Sequence, residues 1–260
     1  MTIKMLGRWA VWGLLLGLGA CTTVQPPSVV RPPQPTPLEQ AQQLASQGRY
    51  AEAAGRYEQL VQGATVAQRA EYRLRAAEHS LQAGNLTAAE AHYAATDPQA
   101  LPTALRPLHL LVGAYLRLRA GDTAQALRST DAVTVGELPT AWRALRHEIR
   151  AQAFAKQNQG REAVRERVAQ DPYLTPNEQV ANQAQLLEIL VRLPLAQLQA
   201  LQVPPPDAVG GWANLALRLR RPDALNAAPE PLLAAWRREY PQLPLRQAAV
   251  TQVLANLRQI

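Results

Sequence analysis

A repeated pattern of glycine and alanine is the feature that most restricts the fold of this chain. Gly48, Gly84 and Gly121 lie 36 and 37 residues apart, and each has an alanine five residues later. A further 37 residues on, Asn158 takes the glycine position, and Ala163 again follows five residues later. Asparagine is the residue that best replaces glycine in the left-handed backbone that ends a helix. The sequence therefore predicts four copies of one structural unit, the fourth of them degenerate.

Each copy has the pattern of a helix on both sides of its turn residue. Before Gly121, for example, one apolar helix face is formed by Leu108, Leu111, Tyr115 and Leu118. Alanine at the crossing of two helices allows a close approach that a larger side chain would prevent. The pattern predicts an all-α fold, a tetratricopeptide-like solenoid of helical hairpins, with a period slightly longer than the typical value of about 34 residues. An irregular helical bundle with chance glycines is the alternative.

After Pro172 the repeat gives way to helices of unequal length. Apolar periodicity predicts one helix over 177–193, a short one over 195–201 and another that opens at Gly210. Pro231 suits the first turn of a further helix, and a last helix runs to the end of the sequence. No segment has the alternation of a convincing strand. We expect a C-terminal helical extension of the same solenoid.

Residues 1–20 have the features of a secretory signal. Lys4 and Arg8 precede an apolar run, and Gly19 and Ala20 are the small residues that a signal peptidase requires. A membrane-spanning helix would need about 20 apolar residues, and this run is shorter. We therefore predict export, followed by removal of the segment.

The single cysteine, Cys21, directly follows these small residues. Leu18-Gly19-Ala20-Cys21 resembles the bacterial lipobox, in which the cysteine sulfur receives a diacylglyceryl group and the signal is cut just before it. The resemblance implies that Cys21 holds the protein to a membrane through acyl chains such as palmitate, of which two or more bind stably. Thr22 stands where lipoproteins of the inner membrane usually carry Asp, which points to the outer membrane. The alternative is a signal peptide whose cysteine is incidental.

A proline-rich segment separates Cys21 from the helices. Six prolines between residues 26 and 37 remove backbone donors and predict a semi-rigid spacer. Extended at about 3.1 Å per residue, it would hold the folded part up to roughly 50 Å from the lipid. We therefore divide the chain into a signal peptide 1–20, a lipidated cysteine and linker 21–38, helical repeats 39–170 and a C-terminal helical part 171–260.

The residues that catalysis would need are few and scattered. His147 begins a His-Glu pair, but the second histidine of the zinc-protease motif is missing, so we expect His147 on a solvated helix face. None of the four serines begins Ser-x-x-Lys or lies in Gly-x-Ser-x-Gly. Glu162 and Glu166 stand among arginines and are expected to form surface ion pairs. We predict no catalytic, metal or cofactor site and no enzymatic activity, and a wall hydrolase is the enzyme class that this disfavours.

The mature chain is weakly basic. Removal of the signal takes two basic residues and lowers the formal net charge from +7 to +5. An exported protein does not meet DNA, so we predict no nucleic-acid partner. Two basic clusters stand out, Arg218, Arg220 and Arg221 in one helix and Arg237 and Arg238 in the next. They either contact an anionic glycan, lipid or protein, or form an ordinary solvated face.

The order of these features resembles the amino-terminal domain of the LpoA (YraM) family of penicillin-binding protein activators. Two signals, GGWANLALRLRR and WRREYPQLPL, carry the resemblance beyond the lipobox, linker and repeats. Their family-motif residues are Gly211, Trp212, Leu215, Ala216, Trp236, Tyr240, Pro241 and Pro244. We expect the two tryptophans to be packing residues first. The similarity extends over essentially all 260 residues.

This resemblance implies an outer-membrane lipoprotein, facing the periplasm, that reaches through the peptidoglycan and stimulates a class A penicillin-binding protein. That synthase is the expected partner, and peptidoglycan is a second candidate. Family members continue into a second domain that resembles periplasmic substrate-binding proteins and is understood to act on the synthase. The sequence stops at Ile260, about where that domain would begin, so we expect a regulator or scaffold; a truncated paralogue and a split gene stay open. The alternative function is a generic periplasmic tetratricopeptide adaptor in envelope assembly or polymer export.

Overall fold

The structure of the chain, a computed structural model, describes residues 34–202, 207–226 and 228–259. The expected signal peptide, Cys21 and most of the expected linker lie outside these residues. The helices belong to one compact unit, Pro35–Ile260. All structural statements below concern the described part of that unit.

The described residues contain fourteen α-helices, three short 3-10 turns and no strand. The helices are α1 Pro37–Ser46, α2 Tyr50–Leu60, α3 Val66–Gln82, α4 Leu86–Ala94, α5 Arg106–Arg119, α6 Thr123–Asp131, α7 Thr140–Lys156, α8 Gly160–Gln170, α9 Pro176–Arg192, α10 Leu195–Ala200, α11 Ala208–Leu219, α12 Pro222–Asn226, α13 Glu230–Glu239 and α14 Gln247–Leu257. The 3-10 turns lie at Thr103–Leu105, Val135–Glu137 and Asp171–Tyr173. The predicted all-α fold is confirmed.

Threonine caps begin three of the helices. Thr36, Thr65 and Thr175 each accept a hydrogen bond from the N–H three residues on, and the glutamate or glutamine at that place bonds back to the cap. This reciprocal capping box satisfies two N–H groups that have no partner within the helix. Because of its cap, α1 begins at Pro37, inside the segment 21–38 that the sequence marks as linker.

The first eight helices form four hairpins, α1/α2, α3/α4, α5/α6 and α7/α8. The backbone angle φ is positive at their turn residues, with values of 74°, 76°, 93° and 59° at Gly48, Gly84, Gly121 and Asn158. The residue after each turn donates its N–H to the carbonyl five residues back, as Arg49 does to Leu44 at 2.9 Å. This is the bond of a Schellman motif, which closes a helix through one left-handed residue. Glycine, or asparagine in the fourth hairpin, adopts that conformation at least cost.

An alanine lies five residues beyond each turn, on the second helix of the hairpin. These alanines are fully buried: Ala53, Ala89, Ala126 and Ala163. Because a methyl group is the whole side chain, the two helix backbones can come close together there. Turn and crossing together define the repeated unit.

The hairpins stack in series. The second helix of each packs on the first helix of the next, α2 on α3, α4 on α5, α6 on α7 and α8 on α9. First helices of successive hairpins also touch, α3 with α5 and α5 with α7. This is the arrangement of a tetratricopeptide-like solenoid, in which the first helices line one side of the stack.

Helices α9–α14 pack differently. Both α11 and α14 lie against α9, although they are far from it along the chain. The core between them is built from large side chains, among them Leu186, Leu187, Leu190, Trp212, Leu215 and Trp236. This part of the molecule therefore ends the stack with an aromatic and aliphatic core.

Candidate protein-interaction surface

The two motif tryptophans lie together inside the C-terminal core. Trp212 is 2% exposed and Trp236 is 0% exposed, and their ring centroids are 5.6 Å apart. The Trp236 indole donates its Nε1–H to the carbonyl oxygen of Gly211 at 2.9 Å. A buried indole needs such an acceptor, because an unpaired N–H in the core is costly. The motif thus joins α11 to α13 rather than presenting a surface.

Gly211 has a packing reason to be glycine. A Cβ at this position would lie 2.5 Å from Leu243 Cδ1 and 2.9 Å from Tyr240 Cδ1. Tyr240 itself stacks on Trp236 with a centroid separation of 5.3 Å. The absence of a side chain therefore lets α11 pass directly under the aromatic pair.

Of the remaining motif residues, two lie in the core and two lie in the connection after α13. Leu215 and Ala216 are fully buried on α11. Pro241 is exposed just after the end of α13. The carbonyl oxygen of Pro244 accepts a hydrogen bond of 2.7 Å from Gln183 Nε2.

That last bond belongs to a buried polar hub on α9, which the sequence analysis did not anticipate. Asp171, 5% exposed, accepts hydrogen bonds of 2.9 Å from Asn182 Nδ2 and Gln183 Nε2. Gln183 Oε1 in turn accepts from the backbone N–H of Arg246 at 2.8 Å, and the Arg246 guanidinium donates to Gln179 Oε1. The hub fastens the segment before α14 to the last turn after α8.

Charged residues expected at the surface lie between α7 and α8, where His147 and Arg167 are buried and Glu148 and Glu166 half-buried. His147 does not face solvent: its Nδ1 lies 2.7 Å from Glu166 Oε2. Glu166 also accepts from Arg150 Nε at 2.6 Å, while Glu148 pairs with buried Arg167. The expectation of solvated faces here was wrong, because these positions meet the neighbouring helix of the same hairpin. The Glu162–Arg165 pair, with 3.9 Å between the charged atoms, is the kind of exposed contact that was expected.

The burial of these groups changes their acidity. Burial works to raise the pKa of the Glu166 carboxyl, but hydrogen bonds from His147 and Arg150 outweigh it and hold the pKa below its usual range. In the same way, Arg167 overcomes the effect of burial and lowers the pKa of Glu148. Burial raises the pKa of Asp171, because its hydrogen-bond donors are neutral amides.

The arginine clusters are largely engaged within the fold. Arg218 bonds Glu239 at 2.5 Å, Arg220 donates to the carbonyl oxygen of Leu193 at 2.9 Å, and Arg221 bonds Asp223 at 3.1 Å. Arg218 and Arg221 line a recess of about 470 Å³ between α11 and α13. Two of the five positive charges are thus neutralised locally, and a third is held by a backbone oxygen.

A groove runs across the first helices of the middle hairpins. It contains a recess of about 180 Å³ between α3, α5 and α7. Its apolar lining consists of Leu81, Val112, Tyr115, Ala141, Trp142 and Leu145. Three of these, Leu81, Tyr115 and Leu145, are half-exposed. This is the side of the stack on which a solenoid displays residues from successive repeats to a partner.

In the described part of the chain, no group of three or more His, Cys, Asp or Glu side chains is placed to hold a metal ion. Over the same residues, no helix combines the length and apolar character needed to cross a membrane.

Comparison with known families decides the relationship of the chain. The model of the family described as "LppC putative lipoprotein" matches residues 49–259. The chain belongs to the LppC family. Among curated proteins, none matches it.

Solved structures similar to this LppC chain are amino-terminal domains of LpoA. The domain from E. coli has a TM-score of 0.64 and 23% identity, with 85% of this chain and 97% of that chain covered. The domain from Haemophilus influenzae has a TM-score of 0.61 and 20% identity, with 78% and 90% covered. These likenesses show a shared fold. Of full-length LpoA from Haemophilus influenzae, the chain covers 36% of the length, at a TM-score of 0.61 and 20% identity over 76% of this chain.

The polar hub of this LppC chain had a signal in the sequence. Gln179, Asn182 and Gln183 stand at i, i+3 and i+4, which places three amides on one face of α9. The apolar periodicity that predicts this helix does not include them. Their partners Pro244 and Arg246 carried no local signal, since they lie some 60 residues further along the chain.

Proposed function

We propose that this chain is a lipid-anchored, non-enzymatic regulator or scaffold of peptidoglycan synthesis that acts on a class A penicillin-binding protein. The observation that carries the proposal is the match of residues 49–259 to the LppC lipoprotein family. The helical fold shared with LpoA amino-terminal domains supports it. The action on a synthase follows from what the LpoA resemblance implies.

The interior of the molecule is consistent with a binding role. The ionisable groups that the fold brings together, the His147–Glu166–Arg150 cluster and the Asp171 hub, are used to join helices to one another. What the stack presents to partners is the groove across α3, α5 and α7. A surface of this kind suits recognition of a protein segment.

The anchor is part of the proposal. Cys21 would carry the acyl chains at the start of the mature protein, and the linker 21–38 would separate the outer membrane from the repeats 39–170 and the C-terminal part 171–260. Replacement of Cys21 by Ala should leave the precursor uncleaved or mislocalised, which membrane fractionation measures. Normal fractionation of the variant would show that the cysteine is incidental.

Because the chain covers 36% of full-length LpoA, binding of a synthase is the first part of the proposal to test. The native lipoprotein is incubated with a detergent-solubilised class A synthase in the presence of peptidoglycan and then captured. We expect the synthase to be retained. A fusion of residues 1–38 to an unrelated soluble domain serves as the matched control, because it has the anchor and lacks the helical stack.

Four results would contradict the proposal. If neither the native lipoprotein nor the fusion retained the synthase, or if both retained it equally, the repeats would have no role in binding it. Crosslinking in cells that captures envelope-assembly or polymer-export proteins in place of a synthase would instead favour the adaptor function. Release of muropeptides by the purified chain would show an enzymatic activity.

A further inference from the structure

The groove across α3, α5 and α7 has an apolar floor, although one acidic residue borders it. Glu78 Oε1 accepts the Trp142 Nε1–H at 3.1 Å, and Glu78 Oε2 accepts from Arg75 at 2.9 Å. The Arg75 guanidinium also lies 5.6 Å from the centre of the Trp142 ring. The Glu78 charge is therefore compensated inside the protein, and the ring of Trp142 is held in place.

A second recess continues the groove towards the turn end of the hairpins. It measures about 120 Å³ and shares Leu81 and Tyr115 with the first recess. The one charged residue in its lining is Arg119. Arg119 is exposed and has no ion-pair partner among the residues that the structure describes. The available charge in the groove is thus positive and lies beside the apolar recess.

The spacing along α5 determines how a ligand could use both recesses. Val112, Tyr115 and Arg119 stand at i, i+3 and i+7, which places them on one helix face. At about 1.5 Å per residue, Tyr115 and Arg119 are roughly 6 Å apart along the axis and Val112 and Arg119 about 10 Å. An extended peptide advances about 3.3 Å per residue, so two or three of its residues span this distance.

We propose that the groove across α3, α5 and α7 is a docking site for an extended segment of a protein partner. The segment places a large apolar side chain in the recess beside Tyr115 and a carboxylate, two or three residues away, against Arg119. Charge complementarity selects this occupant: an unpaired guanidinium next to an apolar recess favours an acidic apolar peptide and disfavours a basic one. This docking site rests on the geometry of the groove and not on the role in peptidoglycan synthesis.

Fluorescence polarisation with the full chain tests the charge preference. The probe is the fluorescein-labelled peptide Gly-Leu-Phe-Ser-Glu-Glu, and the comparison peptides replace either both glutamates by lysine or Leu-Phe by Ala-Ala. The glutamate peptide should bind at least tenfold more tightly than either comparison. Equal binding of all three, or no binding by any at about 1 mM, a weak-affinity limit, would overturn the proposal.

Two charge reversals on α5 locate the site. Arg119→Glu should reverse the preference, so that the lysine peptide binds more tightly than the glutamate peptide. Arg117→Glu is the matched control, since Arg117 is also an exposed arginine in the last turn of α5 but does not line either recess. It should change binding less than threefold. Equal effects of the two variants would mean that only the net charge matters, and would overturn the site.

The indole N–H signals of the chain give an independent location. In a ¹⁵N spectrum of the full chain, the glutamate peptide should shift the Trp142 indole signal and leave those of Trp212 and Trp236 unchanged, because Trp142 alone of these three borders the groove. Movement of the core indoles without Trp142 would contradict the assignment. The peptide experiments contain no synthase, so they test the docking site separately from the proposed function. Peptide binding with failed synthase capture would contradict the proposed function alone. Synthase capture without peptide binding would contradict the docking site alone.

Discussion

In hairpins α1/α2 to α7/α8 the helix crossings beyond the turns are occupied by alanines, whereas the core of α9–α14 is occupied by leucines and two tryptophans. The repeats bury only methyl groups at these crossings, but between their helices they also have a core that contains Leu74, Leu108, Leu111 and Ile149. The C-terminal helices depend on the volume and fit of large side chains. The two regions therefore differ at the helix crossings beyond the turns, while both have a leucine-rich core.

The two regions also differ in the distance along the chain that their contacts bridge. In the repeats, helices mainly pack on their sequence neighbours. In the C-terminal part, α9 contacts α14, and Gln183 bonds Pro244 and Arg246. Local contacts can form one hairpin at a time, whereas distant ones require the whole segment to close. The C-terminal part is therefore where single substitutions should cost most.

The largest expected effect is at Trp236. Trp236→Ala should lower the free energy of unfolding by about 3–5 kcal/mol, the usual cost of deleting a buried aromatic side chain. The matched change Trp142→Ala in the repeats should cost clearly less, because the recess beside that ring already admits solvent. Urea unfolding measures both. Equal losses would contradict the contrast between the two regions.

Two glycine substitutions compare packing with backbone conformation. Gly211→Ala should lower the free energy of unfolding by about 2 kcal/mol, because overpacking of a core typically costs about 1–3 kcal/mol. Gly84→Ala should cost about 1 kcal/mol, because a Cβ there meets no atom within 4 Å and only the left-handed backbone is unfavourable. Thermal and urea unfolding report the two values. A larger loss at Gly84 would mean that the repeats are the more sensitive region.

A half-buried carboxylate in the repeats tests the ionic contacts. Glu166→Gln should destabilise by about 1–2 kcal/mol at pH 7, since it weakens hydrogen bonds between charged groups. The pKa of Glu166 is lowered by folding, so its contribution is present above the unfolded pKa and is lost as the pH falls through the folded pKa. The difference between the two proteins should therefore shrink from pH 7 to pH 3, and a constant difference would contradict the role of its charge.

Asp171, in the hub that joins the two regions, affects stability with the opposite pH dependence. Its pKa is raised by folding, so its contribution is greatest at low pH and is lost as the pH rises through the folded pKa. Its titration therefore opposes that of Glu166, which is why the glutamine variant must be compared with the wild type at each pH.

The smallest expected effect is at the fourth turn. Asn158→Gly should change the free energy of unfolding by less than about 1 kcal/mol, because both residues accept the left-handed conformation and glycine gains freedom when unfolded. The reverse exchange, Gly121→Asn, is the matched control. A large loss in either case would mean that the turn residue makes contacts beyond its backbone.

Much of the repeat region could be predicted from its sequence. Turn residues, crossing alanines and apolar faces recur at fixed spacing, so Gly48 and Asn158 were found without any knowledge of neighbours in space. The motif tryptophans were found through a family resemblance rather than through their own pattern. The contact between His147 and Glu166 was not predicted, because the sequence pattern of a polar residue on a helix is the same whether it faces water or the next helix.

The amino-acid sequence by itself determined where helices begin, turn and end in this protein, since caps, left-handed residues and helical periodicity act over a few residues. Tertiary structure decided which polar groups are buried and which apolar ones stay open. Asp171 meets Gln183, and Trp142 borders a groove with Arg119, only after separate helices have packed. The burial of a side chain depends on residues that are distant in the chain, and spacing along the chain does not record them.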